Sequence, residues 1–219
     1  MRAMGAAVLL GIAACGGAPV SGSQPEQPRP QASALPGPVS SDSANGAMIP
    51  PGLGTLRQDQ VAIVLQPGNV RITAIPLDES VIRTLSPDSY RALHSTVESR
   101  RLVIAQRASM HGVRDARAWY VTFTGLAPDA RFTPTDITVT SGGRDYRPFD
   151  VIGLTNGFGE QRLQPRDSQK GLLLFDDGID VSQPLVVSTG AERNNDWEAI
   201  LKTIDSERAS IRARAGGRP

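Results

Sequence analysis

The chain has 219 residues, with 23 Lys and Arg against 22 Asp and Glu, 5% aromatics and one cysteine. A near-neutral balance with no basic block argues against nucleic acid as the partner and gives no reason to expect a polybasic membrane patch. A lone cysteine excludes an internal disulfide and any zinc site that needs several thiolates.

The first residues carry one positive charge, Arg2, and the apolar run Gly5 to Ala14 follows it directly. A charged start, a short apolar run and small residues before a cut are the marks of a secretory signal peptide, here residues 1–14. The run is shorter than the about 20 apolar residues that a membrane-crossing helix needs. Its end, Ile12-Ala13-Ala14-Cys15, resembles the lipobox of bacterial lipoproteins. The resemblance implies that the Cys15 thiol is diacylglycerylated, the preceding peptide is removed and the new amine is acylated. Each buried methylene contributes about 0.8 kcal/mol, so two or three acyl chains hold a protein at a membrane almost permanently. The expected protein is thus exported and attached to the membrane through its N-terminal lipid. Gly16 stands where an aspartate would signal inner-membrane retention, which favours the outer membrane in a two-membrane organism.

Residues 15–55 form the lipidated N-terminus and a segment rich in Pro, Ser, Gly, Ala and Gln. So little apolar surface cannot offset the entropy of ordering, and the composition predicts a disordered tether. Residues 56–190 are long enough for one real core, and 191–219 read as a helical tail.

Within the domain, Val61 to Leu65 and Val70 to Ile75 flank the turn signal Gln66-Pro67-Gly68-Asn69 and predict a hairpin. Asp78 to Leu85 suit a short helix or turn. Ser86-Pro87 marks a helix start, and Tyr90, Leu93, Val97 and Ile104 share one helical face, which predicts an inserted helix over 87–109, stopped near Gly112. Ala118 to Gly125 alternates, with Trp119, Val121 and Phe123 on one face. Strands follow at 135–140, around Tyr146, at 171–175 and at 184–188, while 151–154 either extends a strand or crosses between sheets. Asn195 and Glu198 carry capping-box spacing, and Trp197, Ile200, Leu201, Ile204, Arg208 and Ile211 recur at helical intervals. The pattern predicts a mainly β, antiparallel sandwich with an inserted helix and a C-terminal amphipathic helix, α+β overall.

The order Phe132, Asp136, Ile137, Val139, then Gly143, Tyr146, Pro148, then Leu163, Pro165, then Gly171, Leu173, Phe175, Asp176 and finally Pro184 to Val187 resembles small immunoglobulin-like domains of bacterial surface lipoproteins, many of unassigned function. That resemblance implies a binding or scaffolding module, not a catalyst. With the lipobox, the tether and the lack of catalytic residues, the expectation is a protein without a cofactor whose partner is another envelope protein.

The best candidate metal ligands are Asp176, Asp177 and Asp180 around Gly178. Calcium takes about six to eight oxygens, but the EF-hand spacing and its terminal glutamate are missing, and Asp and Gly also serve turns. His94 and His111 have no metal-type partner at helical spacing and read as surface or packing residues. Asp78-Glu79 and Asp176-Asp177 are the carboxylate pairs that an envelope hydrolase would use. Neither a nucleophile elbow nor a phosphate loop is present. Two aromatics are candidate partner anchors: Phe158 in a glycine-rich loop, exposed there or packed beneath it, and Trp197 on the tail helix, which docks on its own sandwich or pairs with another chain.

Overall fold

The computed structural model describes residues 48–216. Cys15, the signal segment and the tether as far as residue 47 lie outside the described residues.

Strands β1 (Ile63–Leu65) and β2 (Val70–Pro76) form the expected hairpin, with Ile63 opposite Ala74. Helix α1 (Glu79–Ile82) is short, and α2 (Pro87–Met110) follows with Pro87 in its first turn. Ser86 stands at the start of α2 as expected, but its hydroxyl donates to Ser89 Oγ at 3.1 Å instead of capping a backbone N–H. Strand β3 (Arg117–Gly125) buries Trp119, Val121 and Phe123 while Tyr120, Thr122 and Thr124 stay half-exposed, the alternation that a pleated strand with one inner face requires.

Then come β4 (Ala130–Arg131), β5 (Ile137–Ser141), β6 (Arg144–Tyr146) and β7 (Asp150–Gly153). After β8 (Arg162–Leu163), β9 (Ser168–Phe175), β10 (Leu185–Thr189) and β11 (Glu192–Asn194), helix α3 (Trp197–Gly216) ends the described chain. One sheet has the order β1-β2-β3-β9-β7, the second β11-β10-β5-β6, and β4 pairs with β8 alone. All these pairings are antiparallel. The segment after Tyr146 therefore crosses between sheets: β6 belongs to the second and β7 to the first.

A single core joins the two sheets. Trp119, Phe123, Leu173 and Phe175 of the first share it with Ile137, Val139, Leu185 and Val187 of the second. The architecture is the antiparallel sandwich with an inserted helix and a C-terminal helix. Strand β9 is buried on both faces, because Leu172 and Leu174 are as inaccessible as Leu173 and Phe175. Near that outer face α2 is fastened by Arg107 to Asp150 of β7 at 3.3 Å and by the His111 and Phe149 rings, 5.2 Å apart.

Two boundaries differ from expectation. The folded unit begins before Leu56, because residues 49–55 are strapped to it. Ile49 is buried, Thr55 donates its N–H and its hydroxyl to Glu207 Oε1 at 2.9 and 3.0 Å, and Arg214 donates to the Leu53 carbonyl. Gly54 sits so close to α1's exit that a Cβ there would lie 2.3 Å from the Thr84 carbonyl carbon. Composition hid this, since Pro50-Pro51-Gly52 reads as linker but forms a turn held by buried neighbours. Helix α3 starts at Trp197, which puts Asp196 rather than Asn195 at the cap and shifts the expected capping box out of register. Asn194 organises that start instead, accepting from the Asp196 N–H at 2.8 Å and donating to the Val64 carbonyl at 3.0 Å.

Candidate functional site

The turn between β9 and β10 carries the three aspartates. Asp180 closes the turn: its Oδ1 accepts from the Ser182 N–H and hydroxyl at 2.9 and 2.6 Å, and its own N–H donates to Ser141 Oγ at 3.1 Å. Gly178 lies under Tyr146, whose hydroxyl would stand 2.5 Å from an added Cβ. Asp176 and Asp177 are neighbours in this turn. A hydrogen bond shared with Asp176, then slight burial and then the like charge push the Asp177 carboxyl above its ordinary value. Among the described residues no group of three His, Cys, Asp or Glu side chains is placed to hold a metal ion.

The other carboxylate pair separates. Asp78 Oδ1 accepts from the Ser80 N–H at 2.8 Å as the N-cap of α1, and its Oδ2 accepts from Arg117 at 3.1 Å. Glu79, the next residue, turns toward α2. Its Oε1 lies 2.8 Å from His94 Nδ1, and its Oε2 accepts from Arg83 at 2.5 Å and from the Tyr90 hydroxyl at 3.3 Å. The Tyr90 and His94 rings stack at 5.2 Å. A carboxylate can only accept, so a neutral His94 carries its proton on Nδ1 and presents Nε2 as an acceptor. Burial, and then the Glu79 charge, push the Tyr90 phenol up. This cluster went unread in the sequence. The i,i+4 spacings of Tyr90 with His94 and of Glu79 with Arg83 are its local signals.

At one end of the sandwich a cleft of about 400 Å³ opens between the β1–β2 turn and the β10–β11 turn. Buried Val70, Ile72 and Phe132 form its floor, and exposed Arg131, Asp136 and Glu192 stand on its rim. Its lining mixes these apolar side chains with Thr133, Thr189 and the charged rim, so polar and apolar surface face it about equally.

Both aromatic candidates prove to be core residues. Phe158 is buried, edge-on to Phe123 and Phe132 at 6.0 and 5.6 Å, in space left open by two glycines. A Cβ on Gly171 would lie 2.6 Å from its ring, and one on Gly153 would lie 3.0 Å from its Cβ. Trp197 is fully buried, and its indole N–H donates to the Val181 carbonyl at 3.0 Å. Neither ring is presented to a partner; each is held by long-range packing that a local pattern does not carry.

No protein-family model matches the chain, and no curated protein or solved structure does. Among the described residues no helix is long and apolar enough to cross a membrane.

Proposed function

We propose that this is a lipid-anchored cell-envelope protein whose sandwich acts as a non-enzymatic binding or scaffolding module of the immunoglobulin-like kind. The lipobox at Cys15 supports the anchor, and the proline-rich segment after it would hold the domain away from the lipid. Gly16 after the cysteine favours the outer membrane where the organism has two membranes, with the cell surface as the place otherwise.

The observation that carries the binding role is the cleft between the sheets, an apolar floor rimmed by Arg131, Asp136 and Glu192. Two of the candidate carboxylates are engaged in holding the fold: Asp78 caps a helix and Asp180 closes a turn. A mixed-charge rim suits a protein segment better than nucleic acid. Replacing Arg131 or Glu192 by a photo-crosslinking residue in intact cells tests this. The expected result is one defined envelope protein captured at the rim and lost when exposed Asp136 is changed to Lys. Adducts absent at both positions would contradict the reading.

A second reading, an envelope hydrolase, draws its support from the Glu79–His94 contact, which orients an imidazole as a general base would be oriented. Turnover of any ester, amide or glycoside substrate, abolished by both His94→Ala and Glu79→Gln, would favour it over the binding role.

A further inference from the structure

Helix α2 is 24 residues long yet fully buries only Leu93 and Ala108. Its second half exposes Leu102 at 81%, Met110 at 67% and Val103 at 38%. At 100° per residue these three fall with Gln106 in one arc of about 100°, opposite the arc of Leu93, Val97, Ile104 and Ala108 that faces the domain. Leu102 is thus apolar at a position where the fold gains nothing from it. A polar residue there would cost the domain no buried contact, so its apolar character points outside the molecule.

The charge around this strip is one-sided. Residues 99–114 contain Arg100, Arg101, Arg107 and Arg114 and no Asp or Glu, in a chain that is otherwise balanced. Arg107 and Arg100 lie about 40–60° beyond one edge of the apolar arc, Arg101 about 100° beyond the other, and Arg114 follows the helix end. Arg101 is 4.0 Å from Glu98 and Arg107 is 3.3 Å from Asp150, whereas Arg100 and Arg114 form no ion pair among the described residues. Two of the four arginines are thus left without an acidic partner among the described residues, a local positive excess that the overall neutrality hides.

We propose that the outward face of α2, with Leu102, Val103 and Met110 between these arginines, docks on an anionic phospholipid surface. The guanidinium groups would reach phosphates while their stems and the three apolar side chains enter the boundary with the acyl chains. A groove on another protein would take the apolar strip, but it would not call for uncompensated positive charge along it. The strip is small, so the contact is weak and reversible by itself. It gains from the lipid anchor at Cys15, on which the proposal's cellular setting rests, because a tethered surface meets the membrane at high effective concentration. Some thirty residues separate Cys15 from Ile49, enough at about 3.3 Å each for any face of the domain to reach the bilayer.

The test uses the unacylated chain from Gly16 onward, which keeps every described residue, in sedimentation with vesicles. Binding is expected to phosphatidylglycerol-containing vesicles and not to pure phosphatidylcholine. It should weaken with salt and fall by about tenfold or more in Leu102→Asp/Met110→Asp and in Arg100→Gln/Arg114→Gln, since each basic contact near the surface carries several-fold in affinity. Leu102, Met110 and Arg114 are exposed and Arg100 is half-buried; circular dichroism should show both variants folded. Binding that ignores lipid charge, or that both double variants retain, would overturn the proposal, as would crosslinks from position 102 in cells that run to protein or nucleic acid and not to lipid. The anchor is judged separately: Cys15 found acylated alongside a failed vesicle assay removes this proposal alone, and an unmodified Cys15 leaves the vesicle result standing.

Discussion

The indole N–H of Trp197, first residue of the C-terminal helix, donates to the carbonyl of Val181, sixteen positions earlier in the chain. Together with buried Leu201, Ile204 and Ile211 this bond docks the apolar stripe of α3 on the sandwich. Trp197→Ala is expected to cost about 3–5 kcal/mol through the cavity it leaves. Trp197→Phe keeps much of the apolar area but leaves the Val181 carbonyl without its donor, a loss of about 1–3 kcal/mol. Urea unfolding of the two variants checks the order.

Glu207 joins the two ends of the domain. It accepts from Thr55 twice and from Arg214 at 2.6 Å, with its side chain only 10% exposed. Thr55→Val and Glu207→Gln should therefore not be additive. A coupling of about 0.5–3 kcal/mol is expected from a double-mutant cycle, the range for residues sharing one network. Additive effects would show that residues 49–55 are not fastened as described.

Gly171 and Phe158 share one small space. Gly171→Ala, whose Cβ would stand 2.6 Å from the Phe158 ring, is expected to destabilise by about 1–3 kcal/mol through overpacking. Trimming the ring with Phe158→Leu should relieve part of that cost, so the double variant is less destabilised than the sum of the single ones. Thermal unfolding of the three proteins reads the difference.

Asp177 has a direct pH signature. Its carboxyl is raised in the folded state, so the stabilising contribution is complete below the unfolded value and is lost as pH rises through the folded one. At neutral pH the ionised side chain is a small burden beside Asp176. Asp177→Asn keeps a donor for Asp176 and removes the charge. The variant should gain about 0.5 kcal/mol or less near pH 7, solvent screening keeping the effect small, and the gain should vanish as pH falls below about 4. Melting temperatures across that range check the sign.

Features set by neighbouring residues were legible in the sequence. The Ser86-Pro87 start and Gly112 stop bound α2 at Pro87–Met110, and the alternation around Trp119, Val121 and Phe123 located β3. What depends on distant parts of the chain was not legible. Thr55 finds Glu207 across 152 positions, so the strap at the domain's beginning looked like linker. Glu79 reaches His94 only because α1 and α2 fold back on each other, which no spacing rule announces. Strands β4 and β8 are two residues each, too short for any period. Whether Phe158 or Trp197 lies inside depended on glycines and carbonyls supplied from elsewhere. Leu102 shows the reverse case, an apolar residue that periodicity sets aside and the fold leaves exposed.

The lipid anchor is the claim on which the cellular role depends, and the mass of the N-terminal peptide of the protein isolated from bacterial membranes tests it most directly. A peptide beginning at Cys15 and carrying diacylglycerol, with or without a further acyl chain on the amine, is the predicted result. A peptide in which the Ala14–Cys15 bond is intact and the thiol is free would contradict it.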